Sequence, residues 1–217
     1  MGFLAFLSAN RTEAVRLTLE HAGLVLVSTA VAVAIGIPFG ILASRRPSAE
    51  RWILGGANLL QTIPSLALFG LLIPIPYVGG IGARTAIVAL ILYALLPIIR
   101  ATHVGLGAID PSVREAALAM GMDARQRLWQ VELPLAFGVI LSGIRVATVI
   151  AVGVATIGAA IGAGGLGVYI FRGVAMVDNR LILAGAVPAA AMAIGADLGI
   201  GALATRFSPD RRRRRAS

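Results

Sequence analysis

Five stretches of this chain carry no Asp, Glu, Lys or Arg: residues 22–44, 52–83, 85–99, 146–171 and 181–196. An apolar run of about 18 or more residues is long enough to cross a bilayer core of roughly 30 Å as a helix. The pattern therefore predicts an all-α membrane protein with about five transmembrane helices, at about 22–43, 52–73, 84–100, 134–158 and 181–205. The first ends at Ser44-Arg45-Arg46-Pro47, where two charges and a proline stop both insertion and helix. The second ends in the turn-forming Pro74-Ile75-Pro76-Tyr77-Val78-Gly79-Gly80. The fourth opens on Pro134, a residue favoured in a first helical turn because its missing N–H has no partner there anyway. The first run exceeds the roughly 7–15 apolar residues of a signal-peptide core and is preceded by acidic as well as basic residues, so it reads as a retained helix. The organisation expected is an extracytoplasmic segment at 1–21, a membrane domain at 22–205 interrupted by a polar loop at 101–133, and a tail at 206–217.

Charge placement orients these helices. The formal net charge is +9, and all 19 basic residues are arginine. Five spans put the termini on opposite sides. With the C-terminus cytoplasmic, thirteen arginines (45, 46, 51, 100, 114, 125, 127, 206 and 211–215) lie inside and five (11, 16, 84, 172 and 180) outside, leaving Arg145 within a span. Positive charge is retained on the cytoplasmic side. The expectation is an outer N-terminus and a cytoplasmic 101–133 loop.

Composition then narrows the chemistry. The chain is 58% hydrophobic and 13% charged, with a mean hydropathy of +0.90, against about 25% charged in soluble domains. Without lysine there is no phosphate-binding loop and no Schiff-base nucleophile. Any ATP, with its Mg, is therefore expected on a partner chain, and this chain is expected to bind no cofactor and to catalyse no covalent chemistry. The absence of cysteine excludes disulfides and thiol catalysis. His21 and His103, far apart in sequence, read as helix-end residues at the membrane surface rather than as a metal site.

The loop carries the most specific signal. Asp110 is placed to cap a helix beginning at Pro111, and Gly121 to end it in a left-handed conformation. Asp123 and Gln126 then have the spacing of a capping box. These caps predict two short helices at an angle, the first kept slim by Ala116, Ala117 and Ala119, with Glu115, Arg114, Arg125 and Arg127 as rim charges. Such an element suits docking into another protein.

Glu115-Ala116-Ala117, three residues, Gly121, nine residues, Val131, any residue, then Leu133-Pro134 resembles the cytoplasmic signature (the EAA motif) of ABC importer permeases. Val131 stands where that family usually has isoleucine. Further blocks resemble the permeases of osmoprotectant importers for glycine betaine, carnitine and choline: Gln61-Thr62-Ile63-Pro64-Ser65, Tyr93-Ala94-Leu95-Leu96-Pro97 and Gly162-Ala163-Gly164-Gly165-Leu166-Gly167. The resemblance covers about residues 22–204. It implies a type I importer permease fold like that of methionine importers, and an inner-membrane location. The partners it implies are an ABC ATPase dimer, a second identical or related permease and an extracytoplasmic substrate-binding protein. It also implies that Glu115, Ala116, Ala117, Gly121, Arg114, Leu133 and Pro134 serve coupling to the ATPase.

Polar residues inside the spans supply two more candidates. Asn58, Gln61, Thr62 and Ser65 recur at intervals of three and four on one face of the second span, roughly 10–20 Å into the bilayer. They fit either a translocation path or interhelical hydrogen bonding, and Pro64 favours the path because its freed carbonyl needs protein or water. Arg145 and Asp197 lie at matching depths of about 13–17 Å from the inner boundary, which predicts an ion pair between the fourth and fifth spans. The glycines of 158–167 permit a helix break or close packing near the outer face. The function expected is a permease of an ATP-driven osmoprotectant importer, with a methionine or other amino-acid importer as the alternative. An ion-coupled secondary transporter or a membrane scaffold using the arginine tail are the rivals from other classes. No internal repeat supports the former, and Asp197 is the lone midplane carboxylate.

Overall fold

A computed structural model describes Phe6 and residues 8–207, and every described element is helical. Helix α1 spans Arg11–Arg45, α2 Pro47–Thr62, α3 Ser65–Leu72 and α4 Ala83–Gly107. Two short helices, α5 (Pro111–Ala119) and α6 (Ala124–Arg127), lead through a π-helical turn at Leu128–Glu132 into α7 (Leu133–Gly158). A 3₁₀ turn at Ala159–Ile161, α8 (Gly167–Met176) and α9 (Asn179–Phe207) complete the described residues. Four stretches are long and apolar enough to cross a membrane unbroken, namely α1, α4, the run Ala124–Ile161 and α9, and the bent pair α2–α3 makes a fifth when its two helices are counted as one broken span. The arginine-only stretch at 211–215 lies outside the described residues.

Helix is the form a backbone takes in hydrocarbon, because every N–H and C=O must be satisfied within the segment. Where α1 exceeds the expected span the reason is visible. Its 35 residues reach about 52 Å, well beyond a bilayer core, and its charged first turns continue as helix because they are held by other elements. The expected separate segment at 1–21 is thus helical and continuous with the first span from Arg11 onward.

The second span differs most from expectation. It is not continuous over 52–73: α2 and α3 meet at 101°. Ile63 is extended (ψ 125°), as steric clash with the ring of Pro64 dictates, and the helix ends one residue earlier. The polar set is consequently divided, with Asn58, Gln61 and Thr62 on α2 and Ser65 opening α3. A further helix, α8, occupies sequence that the hydropathy pattern leaves as connection; its 10 residues are too few to span.

Helix α4 is central, between α1 and α7, while α9 packs on α7 and α8. Phe69, Leu90, Val152 and Leu24 fill the middle of the bundle; Leu17, Leu166, Tyr169 and Ala184 fill one end and Leu106, Ile109, Ala136 and Ile140 the other. In lipid, such packing rests on van der Waals contact, which rewards small residues that let backbones approach. Gly143 of α7 is the clearest case. A Cβ there would lie 2.7 Å from the Pro97 carbonyl oxygen and 2.3 Å from the Ala101 Cβ, so α4 and α7 cross at their present separation only with glycine.

Candidate functional site: docking loop and translocation face

Charged and polar side chains sort to the two ends of the bundle. At one end Arg45 reaches Glu132, His103 approaches Glu50 at 3.3 Å, and Arg100 donates to the Asn58 amide oxygen at 2.9 Å. At the other, Glu13 binds Arg172 at 2.8 Å and accepts from the Tyr169 hydroxyl at 3.3 Å, and Glu20 accepts from the Gly165 N–H at 3.1 Å. That second end explains the extended α1: its acidic first turns hold α8 and the glycine loop before it. Within that loop Gly162, Gly164 and Gly165 have φ of 76°, 81° and 75°, so the glycines both break the helix and admit close contact. His21 is not a surface residue. It is fully buried, with Nε2 3.2 Å from the Val152 carbonyl, because α1 continues past it into packed surroundings.

The docking loop forms at the first of these ends. Asp110 caps α5 by accepting from the Ser112 N–H at 2.8 Å, and this hydrogen bond holds its carboxyl below the usual value. Gly121 takes φ 80°, and both bonds of the Asp123–Gln126 capping box are made. The outward face of α5 presents Glu115, Ala116, Ala119 and two exposed apolar residues, Leu118 (55%) and Met120 (70%).

Three of the expected contact residues are turned elsewhere. Ala117 is 1% exposed and packs into its own chain. Arg114 and Arg127 are drawn towards Glu132, their Nε atoms 3.3 and 3.4 Å from its Oε1, with Arg114 still 36% exposed, while Glu115 and Arg125 are the more exposed of the four charges. Leu133 packs against the Leu106 cluster and Pro134 borders an apolar groove with Trp129 and Phe137. Glu132 itself, 1% exposed among three arginines, is the residue that sequence reasoning missed. Its signal was a carboxylate directly before an apolar span, where a charge is costly without partners.

The bend between α2 and α3 lines a cavity of about 350 Å³ with Gln61, Thr62, Ser65, Tyr93, Ile150 and Val154. A second, of about 430 Å³, shares Gln61 and Ile150 and continues past Ser142 to Arg100 at the docking-loop end. The bend leaves no orphaned backbone group at Ile63: its carbonyl accepts from the Tyr93 hydroxyl, and Gln61 donates to the Tyr93 carbonyl at 2.8 Å. Thr62 bonds its own helix, and Asn58 bonds Arg100. Tyr93→Phe removes the single hydroxyl that satisfies Ile63. An unpaired buried carbonyl costs about 1–3 kcal/mol, so the purified protein is expected to melt several degrees lower; an unchanged Tm would show that the bend stands without it.

Arg145 and Asp197 meet as the depth argument requires, the guanidinium donating through two nitrogens to both carboxylate oxygens. The pair bridges α7 and α9 and is 41% and 36% exposed, beside a groove lined by Gly138, Ser142 and Gly201.

This geometry has known counterparts. Residues 36–213 match the family model described as binding-protein-dependent transport system inner membrane component. The chain belongs to that family. The permease is 43% identical over 199 residues to the osmoprotectant import permease protein OsmW of Salmonella typhimurium, covering 91% of this chain and 93% of that one. It is 46% identical over 184 residues to the choline transport system permease protein OpuBD of Bacillus subtilis, covering 84% and 80%. Among solved structures it resembles the inward-facing MetNI methionine ABC transporter, with a TM-score of 0.81, 26% identity and coverage of 89% and 95%. An amino acid ABC transporter at 16% identity shares the fold alone (TM-score 0.72). The permease is therefore a multi-pass inner-membrane import subunit of the type I ABC architecture, a transport component and not an enzyme. Its family works with ATPase and substrate-binding partners.

Proposed function

We propose that this permease translocates osmoprotectants of the glycine betaine, carnitine and choline type into the cytoplasm, driven by ATP hydrolysis in a partner ABC ATPase dimer. The observation that carries the coupling half is α5. It is capped at both ends, presents Glu115, Ala116, Leu118 and Met120 outward, and sits at the end of the bundle where Arg45, Arg46, Arg51 and Arg100 gather. In this reading that end is cytoplasmic, because positive charge is retained on the cytoplasmic side. ATP and Mg belong to the partner, because a chain without lysine offers no phosphate-binding loop. The substrate half is supported by the relatives at 43–46% identity, whose names specify osmoprotectant and choline import.

The path in this reading runs along the cavity at the α2–α3 bend to the groove past Ser142. It opens on the surface of the subunit, so a second permease, identical or related, closes it, and an extracytoplasmic binding protein delivers the solute. The decisive assay purifies the permease with its neighbouring gene products and measures ATP hydrolysis with glycine betaine, choline or methionine. Stimulation by the first two and not by methionine supports the reading; stimulation by methionine alone overturns the substrate. Gln61→Ala removes the tie to the Tyr93 carbonyl where the two cavities share Gln61 and is expected to reduce transport and substrate-stimulated hydrolysis together. Unchanged values for both would remove Gln61 from the path.

A further inference from the structure

Glu132 is the most enclosed carboxylate among the described residues, and three elements converge on it. Arg45, the last residue of α1, bonds Oε2; Arg114, on α5, and Arg127, the last residue of α6, lie at 3.3 and 3.4 Å from Oε1. Arg114 also donates to the carbonyl of Leu106 in the last turn of α4. The carboxylate stands in the π-helical turn Leu128–Glu132 that opens α7. One extra residue in a helical turn rotates the remainder of the helix by about 100°, and here that turn aims Glu132 into the bundle. A buried charge is tolerated only when paired and hydrogen-bonded. Three guanidinium groups on one carboxylate supply more pairing than neutrality requires, so folding alone leaves part of the cluster unexplained. Of the three contacts, that with Arg45 is a charge-assisted hydrogen bond, directional and suited to carrying force between elements, whereas Arg114 and Arg127 pair with Oε1 by charge alone.

We propose that Glu132 is the positioning residue through which movement of α5 reaches the membrane helices, with Arg45 as its strut to α1. The inference rests on α5 being the ATPase-docking helix. Arg114 and Arg127 tie the carboxylate to the loop; Arg45 is the one arginine of the cluster on a spanning helix. Removing Arg45 leaves Glu132 two partners, so the loop keeps its fold and loses its link to α1. Movement of α5 then dissipates locally.

Two readouts on the assembled complex test this. In proteoliposomes, Arg45→Gln is expected to lower solute transported per ATP hydrolysed about five-fold, the size of effect that residues along a coupling route have, while ATP hydrolysis continues. Arg45→Lys retains the charge and restores most of the ratio. The second readout does not depend on the solute. The chain has no cysteine, so Ser142→Cys gives a single maleimide site in the inner groove whose labelling rate responds to trapping with ATP and vanadate. Arg45→Gln is expected to abolish that response. A parent that responds alongside an Arg45→Gln variant that responds equally overturns the strut. A Ser142→Cys parent that transports at the unsubstituted rate and shows no nucleotide response overturns the ATP-driven reading itself. Glu132→Gln, which leaves three arginines without their counter-charge, is expected to reduce assembled complex; normal assembly and a normal ratio in that variant overturn the proposal.

Discussion

Ala116→Trp is expected to reduce transport about 100-fold while the permease itself still folds and purifies as a single species. Ala116 is exposed on the outward face of α5, so an indole there meets no part of its own chain. In the proposed docking it meets instead the groove of the ATPase, and misfit at the centre of an interface costs about 2–4 kcal/mol, which is 30- to 1,000-fold in affinity. The neighbouring residue gives the contrast. Ala117 is 1% exposed, and Ala117→Trp overpacks the contact between α5 and the bundle, so it is expected to lower the melting temperature of the isolated permease. Co-purification with the ATPase and thermal melting of the permease alone separate the two effects. If Ala116→Trp retains its ATPase partner, or if both variants lose stability alike, the outward face of α5 is not the contact.

The second large effect concerns Arg145 and Asp197. Asp197→Asn leaves a guanidinium in the span without its counter-ion, and Arg145→Gln strands the carboxylate. Either is expected to cut the yield of monodisperse permease severalfold, because intramembrane charge is tolerated only when paired. Exchanging the two, with Arg145→Asp and Asp197→Arg together, is expected to restore yield. Since both groups are part-exposed beside the groove between α7 and α9, the pair tethers those helices at the margin of the bundle rather than filling its core. Failure of the exchange alongside normal single variants would remove the tether and leave the residues free for another role.

Ala116 and Ala117 also show how much of the site was legible in the sequence. The caps of α5 and α6 followed from Asp110, Pro111, Gly121, Asp123 and Gln126, because capping is local chemistry that the chain specifies over a few residues. Which alanine faces outward was not legible, since the α-helical pattern of so small-sided a segment is apolar on most of its faces. The same limit explains Arg114 and Arg127. Spacing marked them as loop charges, and only the arrival of Glu132 from the following turn drew them inward. In the sequence Pro64 reads as a lost hydrogen bond inside a continuous span, not as a bend. At the 101° bend the Ile63 carbonyl accepts a hydrogen bond from the hydroxyl of Tyr93, thirty residues away in sequence.

Four of the spans, the position and capping of the short helices of the 101–133 loop and the matched depth of Arg145 and Asp197 were all determined by the sequence. Hydrocarbon imposes length and apolarity on each segment separately, and helical rise converts residue number into depth. What only the tertiary structure decided is which polar groups meet across segments: Glu132 with Arg45, Glu13 and Glu20 with α8 and its glycine loop, Tyr93 with the bend. Those contacts depend on how whole helices rotate and cross, and crossings such as that at Gly143 arise from packing summed over the bundle, which no local stretch of sequence encodes.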